Sequence, residues 1–311
     1  MNKKSAVMMA FVCNPYLAVL QKRMYERFWK EEVDEVLINV NGCNDVIRQW
    51  IIDLWKDDKV KYIDDVPSEI RQGPAFDNLY KHVSDDIGIV ITMDSDNFIF
   101  KNGVLDYFKD MLDGEYGSIG SLGYHAYPGS VSDLALEKYG TARLNPFMSF
   151  WKKEIIDQIK DVDFCTYNYK KGEKFGPLGV LPDDGWMDIM CKFSLNYFKI
   201  SPKFLKITQT QEGKYIHIAA LSSIMRRHYR DLENKNTQLF VQSTGSKQKL
   251  YYMAWNYAIY HFTKDVIPFK EYNIEYEKGM WSEANKAELK KEDIIKLGEE
   301  FITEYKVFTN I

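Results

Sequence analysis

Residues 89 to 96 read Ile-Val-Ile-Thr-Met-Asp-Ser-Asp, an apolar run that stops in two carboxylates one residue apart. In a strand, side chains at i and i+2 share a face, so Asp94 and Asp96 point the same way if extended geometry reaches the tip. Like charges that close need a cation or a hydrogen-bond network. A hard divalent ion with oxygen ligands suits them, and Mg2+ in particular is shared between carboxylates and substrate phosphates. Solvated aspartates in a strand-end turn would leave the same text. The stretch begins like an EF-hand loop, but that loop needs Gly at its sixth position and Glu at its twelfth, where Ile99 and Leu105 stand. A second acidic pair, Asp183-Asp184, precedes Gly185-Trp186. The pattern predicts a helix over 185–198, so the pair reads either as a general base or as acids favoured by a helix amino end.

Strands and helices alternate through the first hundred residues. Ser5–Cys13 reads as a strand ending at Asn14-Pro15, and Leu17, Leu20, Met24 and Phe28 give helical spacing over 16–31. Val36–Val40 is a second strand, Val46–Trp55 a helix with Asp45 as its cap, and Val60–Ile63 a third strand. A helix over 75–83 then leads into the strand Ile87–Met93. This order predicts an α/β layer with a mainly parallel sheet, and ligands of such sheets sit at the carboxyl ends of the strands. Asn14, Asn41 and the Asp94/Asp96 pair all fall at such ends. Phe11 and Asn14, at the first tip, could hold a nucleotide base. Further on, Asn102–Leu112 reads as a helix, 117–130 as a strand with a Gly- and aromatic-rich loop, and 146–160 as a strand followed by a helix. After His228 the pattern becomes purely helical, with helices over 248–263 and 282–306. The expected organisation is a core over 1–230 and a helical appendage over 231–311.

Composition narrows the function classes. A net charge of −4 over 311 residues disfavours a general polyanion binder. The four cysteines, Cys13, Cys43, Cys165 and Cys191, have no metal-ligand spacing and read as reduced thiols. No segment approaches the ~20 apolar residues a membrane span needs, so a soluble, cytoplasmic protein is expected. No Gly-x-Gly-x-x-Gly or Gly-Lys-Ser/Thr motif follows a strand, which disfavours dinucleotide-binding and P-loop enzymes. The Tyr-rich helix around Tyr251, Tyr252, Trp255 and Tyr257 could pack on the sheet, cover the site, rest on a membrane surface or make a homodimer through the C-terminal helices.

Several short motifs stand in series: Asn41-Gly42-Cys43-Asn44-Asp45, Arg71-Gln72-Gly73-Pro74-Ala75-Phe76-Asp77-Asn78, Asp94-Ser95-Asp96, Leu181-Pro182-Asp183-Asp184-Gly185-Trp186 and Tyr215-Ile216-His217. Over residues 5–230 this series resembles the GT-A glycosyltransferases, most closely the large family 2 type. The resemblance implies a Rossmann-like, mixed and mainly parallel sheet flanked by helices. It implies sugar transfer from a nucleoside-diphosphate sugar, a UDP-sugar in particular, with inversion at the sugar and with Mn2+ or Mg2+. Asp96 would hold the metal, with Asp94 and His217, while Asp94 also supports the ribose. Phe11, Asn14, Asn41, Arg71, Asn78, Asp94, Ser95 and Asp96 would form the donor site. Asp184 would be the base, with Asp183 second, and Trp186, Tyr124 and His125 would face the acceptor. Three departures stand out: Asn41 replaces the usual acid at the second strand tip, Phe76-Asp77 replaces Ala-Arg, and the base motif is Asp-Asp rather than Glu-Asp. The Arg-rich motifs and spans of processive synthases are absent. The acceptor stays open among glycan, lipid-linked glycan, protein and modified base. A sugar nucleotidyltransferase and a non-catalytic nucleotide- or carbohydrate-binding module of the same fold are the alternatives. The basic cluster Arg226-Arg227-His228 with Arg230 could meet a phosphate or lie on a solvated helix face.

Overall fold

The computed structural model describes residues 3–12, 14–41, 44–64, 72–123, 126–127, 129–207, 215–217 and 246–306. Strand β1 (Ser5–Val12) is buried from Ala6 to Phe11 and is followed by α1 (Pro15–Met24). Proline opens that helix where a missing N–H costs nothing, and the Asn14 side chain caps it, accepting from Leu17 N at 3.0 Å. A π turn over Tyr25–Trp29 and a 3-10 turn over Lys30–Glu32 lead into β2 (Glu35–Asn41). Then come α2 (Asp45–Leu54), β3 (Val60–Tyr62), α3 (Gln72–Lys81), β4 (Ile89–Asp94), β5 (Asn97–Ile99) and α4 (Val104–Asp113). The cap of α2 is Asn44, whose side chain accepts from Ile47 N at 3.0 Å; Asp45, expected as the cap, is the first helical residue. Likewise α3 begins at Gln72, ahead of the expected start, with Gly73-Pro74 inside its first turn.

The middle of the chain holds β6 (Ser118–Gly123), β7 (Ala126–Tyr127), α5 (Gly129–Tyr139), β8 (Arg143–Lys152), α6 (Lys153–Ile156), β9 (Tyr167–Tyr169), β10 (Lys174–Phe175), β11 (Gly179–Val180) and β12 (Gly185–Met187). It continues through α7 (Cys191–Ile200), β13 (Phe204–Lys206) and β14 (Tyr215–His217). Helices α8 (Ser246–Thr263), α9 (Lys270–Lys286) and α10 (Lys291–Glu304) close it. The helix expected over 185–198 is divided: Gly185–Met187 is a strand paired on both sides, and helix begins only at Cys191. Asp183-Asp184 therefore precedes a strand and does not open a helix.

Seven strands form one sheet in the order β13-β6-β8-β4-β1-β2-β3. The pairs β1–β2, β1–β4, β2–β3 and β6–β13 are parallel, whereas β8 runs antiparallel to both β4 and β6. The expected α/β architecture holds: a mixed, mainly parallel sheet flanked by helices, with a helical C-terminal region. Alternation along β1 sends Val7, Met9 and Phe11 to one core and Ala6 and Met8 to the other. The first core contains α1 residues and also Trp255, Ala258, Ile259, Phe262 and Phe301 of the last helices. Trp255 stacks on Phe301 at 4.5 Å, and Tyr16 packs on Tyr276 at 4.3 Å while donating to Asn273 at 2.6 Å. Tyr252, Trp255 and Tyr257 of α8 are thus buried inside the chain, with Trp255 in the core that also holds α1, while Tyr251 stays 37% exposed. No described helix is long and apolar enough to cross a membrane.

Candidate functional site

The parallel strands β1, β2 and β4 end on one rim. In register, Ala10 stands beside Asp94, and Val12 stands beside Asn41. Neighbouring strands lie about 4.8 Å apart, so the tips of β2, β1 and β4 form one continuous edge. Helices α1 and α2 start just past the ends of β1 and β2, and the first residue of α3 reaches the end of β4. Their amino ends therefore gather on this rim, bringing partial positive charge and backbone N–H groups to it.

At the tip of β4, Asp94 is half-buried and accepts a hydrogen bond from Gln72 Nε2 in the first turn of α3. Ser95 and Asp96 make a turn, and Asp96 is only 2% exposed. Gln21, from α1, donates through Nε2 to the carbonyls of Ser95 at 3.1 Å and Asn97 at 2.5 Å. The backbone of His217 pairs with Asn97, so β14 lies against the strand that follows Asp96; the His217 side chain lies outside the described residues. Two carboxylates on a buried turn fit a hard divalent cation, which takes oxygen ligands. Asn39 and Asn41 are buried at the end of β2; Asn39 Nδ2 donates to Ile63 O at 2.8 Å. Asn78 is half-buried on α3. Phe11 lies in the core with its ring 5.4 Å from Trp55, and the Asn14 oxygen is committed to the cap of α1. Arg71, Tyr124, His125 and the cluster from Arg226 to Arg230 lie outside the described residues.

The second acidic pair stands beside a separate small sheet that follows β6. Strand β6 runs with β4, because each is antiparallel to β8, so it ends on the Asp94 side. Strand β7 follows it and pairs with β12, setting Trp186 opposite Tyr127, while β9 covers the other edge of β12. Asp183 accepts from Ser130 Oγ at 2.9 Å, and Asp184 accepts from Lys171 N at 2.7 Å. The Lys171 N–H holds the Asp184 carboxyl below its ordinary value, helped by the charges of Lys170 and Lys171 and opposed by slight desolvation. Trp186 is 41% exposed on the middle strand of this small sheet. An ion pair between buried Arg143 and half-buried Asp188 at 3.0 Å ties the segment after β12 to the start of β8; Arg143 also donates to Ile189 O at 2.6 Å.

One group of candidate metal-binding atoms occurs among the described residues, Asp77, Asp163 and Cys165. Its atoms are already engaged: Asp77 accepts from Phe164 N at 2.7 Å and from Cys165 Sγ at 2.9 Å, and Asp163 pairs with Lys192 at 2.7 Å. Burial raises the pKa of both Asp77 and Cys165. The cluster fastens α3 to the 163–165 segment. Gln21 and Gln72 touch the acidic turn without a role of their own in the sequence pattern, although Gln72 stands inside the motif from Arg71 to Asn78. Gln21 carried a usable signal, a polar residue on the same helical face as Leu17, Leu20 and Met24. Gln72 carried none, because its partner is 22 residues away.

No family model and no curated protein matches the chain. Among solved structures, S. aureus TarS 1-349 aligns over 97% of this chain and 92% of its own, at 10% identity and a TM-score of 0.46. The mannosyltransferase PcManGT from Pyrobaculum calidifontis, in complex with GDP-Man and Mn2+, aligns over 99% and 84%, at 10% identity and 0.42. A 4-diphosphocytidyl-2C-methyl-D-erythritol synthase from Anaerococcus prevotii aligns over 50% and 74%, at 10% identity and 0.36. Likenesses of this size assign no activity. The sheet order and register themselves give the mixed, Rossmann-like arrangement that the GT-A resemblance implies.

Proposed function

We propose that the chain is a glycosyltransferase that moves a sugar from a nucleoside-diphosphate sugar, a UDP-sugar by the resemblance, to a hydroxyl acceptor with inversion. The observation that carries this reading is the buried Asp94-Ser95-Asp96 turn on a rim where three helices begin. A diphosphate is the ligand whose charge suits both features, since helix amino ends attract phosphate and a cation bridges phosphate to carboxylate. Asp96, with Asp94 and His217, would hold Mn2+ or Mg2+. Such an ion neutralises charge on a departing diphosphate as a Lewis acid. Asn41, Asn78 and Arg71 would contact the nucleoside, with Asn41 offering a neutral amide where the family carries an acid. Phe11 supports this edge from the core, and Asn14 fixes the amino end of α1 that faces the phosphates. Asp184 would take the acceptor proton, and Asp183, held by Ser130, would support it. The depressed pKa of Asp184 keeps it ionised, the form a base requires, at some cost in base strength. Trp186, with Tyr124 and His125, would form the acceptor wall, since an open aromatic face suits a sugar ring.

The test is incubation of the chain with Mn2+ and a panel of UDP-, GDP-, CDP- and dTDP-sugars, with products separated by ion-exchange chromatography. Slow release of free nucleoside diphosphate, faster with acceptor, is expected. Release of pyrophosphate would replace the transferase reading with a nucleotidyltransferase. Tight nucleotide binding with no turnover would leave a binding module.

A further inference from the structure

Gln21 lies toward the end of α1, 0% exposed, on a helix whose Leu17, Leu20 and Met24 belong to the main core. An amide in such a place destabilises the fold unless its polar atoms are hydrogen-bonded. Gln21 commits its nitrogen to one target, the carbonyls of Ser95 and Asn97, which flank Asp96 on either side. Its own Oε1, and both side-chain polar atoms of Asn97, are buried with no partner among the described residues. An apolar side chain would remove that oxygen but strand the Ser95 and Asn97 carbonyls, so the amide is matched to this turn and not to the apolar helix face around it.

Strand pairing shows what the amide accomplishes. β4 is fixed on both sides, by β1 and β8. β5 lies outside the seven-stranded sheet and pairs only with β14 among the described residues. The chain leaves the sheet at Asp94, so sheet register stops determining its path where Asp96 must be placed. Gln21 grips the turn at the carbonyl before Asp96 and the carbonyl after it, and anchors both to α1. That helix begins at Asn14 on the same rim, so one rigid element sets both the rim-facing helix end and the orientation of the acidic turn.

We infer that Gln21 is a positioning residue for Asp96: its amide fixes the turn so that the carboxylate is offered to a divalent cation. The inference rests on reading Asp94 and Asp96 as a cation site. The experiment titrates Mn2+ alone into the full chain by electron paramagnetic resonance, with thermal unfolding recorded alongside. The wild-type chain should bind Mn2+, and Asp96→Asn should not. Gln21→Met keeps the length of the side chain and removes both donors. Its Mn2+ affinity should fall by about tenfold to a hundredfold, the usual loss when an outer partner of a metal ligand is removed. Ile156→Ala, a fully buried change in the other core, should lower Tm and leave Mn2+ affinity as it was.

Equal Mn2+ affinity in Gln21→Met and the wild type would overturn the inference and leave the reading of the aspartates standing. If the wild-type chain bound no Mn2+, both would fall. Should Gln21→Met fail to fold, the wild-type chain still decides. The side-chain amide signal of Gln21 in a nitrogen-15 spectrum should shift on saturation with Mg2+, and an unmoved signal would refute the clasp.

Discussion

Asp96 and Asp184 each stand within two residues of another aspartate, yet they occupy opposite physical settings. Asp96 is 2% exposed on a turn held by α1 and preceded by a strand fixed on both edges. The Asp184 side chain is 65% exposed just before the middle strand of a small three-stranded sheet, with one backbone N–H and the Lys170 ammonium at 3.7 Å for company. A buried carboxylate beside another needs compensation from a cation or a dense set of donors. An exposed one is already solvated and can exchange a proton with whatever approaches. The burial that suits a residue to hold a charged ligand in fixed geometry is what would hinder it as an accessible base. Under the proposed function, the two settings suit two different roles, a holding site at Asp94 and Asp96 and a proton-transfer site at Asp183 and Asp184.

The sharpest way to break this division is to neutralise each residue in turn. Asp96→Asn should abolish Mn2+-dependent nucleotide binding and reduce nucleoside-diphosphate release by about 10³-fold or more, since a cation of this kind supplies several kcal/mol. Asp184→Asn should leave nucleotide affinity unchanged by calorimetry, leave Tm unchanged, and lower transfer to acceptor by about 10²-fold. If the two variants lost binding alike, the proposed division would be wrong.

Much of the frame of the proposed holding site was legible in the sequence. Apolar runs ending in Asn14, Asn41 and Asp94 gave three strands whose carboxyl ends share a rim, because local alternation of strand and helix dictates a parallel layer. The proton-transfer side was read less well. Gly185-Trp186-Met187 carries no helix breaker strong enough to separate it from the helix after Cys191, and its strand state comes from pairing with Tyr127 and Tyr169-Asn168-Tyr167, far off in sequence. The same limit hid Gln21 and Gln72, whose partners are 74 and 22 residues away. Helix α5 was missed as well: only Gly129 and Ser130 fall in the stretch read as loop, and the rest of the helix was given no element. The C-terminal region was expected as an appendage with two helices, over 248–263 and 282–306; it holds three, and the tertiary contacts of Trp255, Phe262 and Tyr276 place them in a core with α1.

Gly73→Ala probes how far the holding site depends on its frame. A Cβ at Gly73 would lie 2.7 Å from Cys165 Cα and 3.0 Å from Phe164 O, backbone atoms that cannot swing aside. The substitution should push α3 off the 164–165 segment and lower stability by about 1–3 kcal/mol in urea unfolding. Because Gln72 precedes Gly73 and bonds Asp94, nucleotide affinity should weaken too, and a wild-type affinity in Gly73→Ala would free the holding site from this frame.

The smallest expected effect tests the proton-transfer side alone. Lys170 O accepts from Glu173 N at 3.0 Å, and Gly172 has φ of 82°, so Lys171 is the second residue of a tight turn with a positive φ at the third. Proline is favoured at that second position, and a compatible proline stabilises by about 0.4–1 kcal/mol through the unfolded chain. Lys171→Pro would keep the turn and delete the N–H that Asp184 accepts, along with one nearby positive charge. Both losses raise the Asp184 pKa from its depressed value. The sign is fixed: in the wild type Asp184 stays ionised until the pH falls through its depressed folded pKa, below the ordinary carboxylate range. In Lys171→Pro protonation should begin at higher pH, so the acid limb of the transfer rate should move upward with the rate at neutral pH nearly unchanged. Mn2+ affinity, set at the other pair, should keep its wild-type pH profile. An acid limb unmoved by Lys171→Pro would remove Asp184 from the proton-transfer role and leave the holding site untouched.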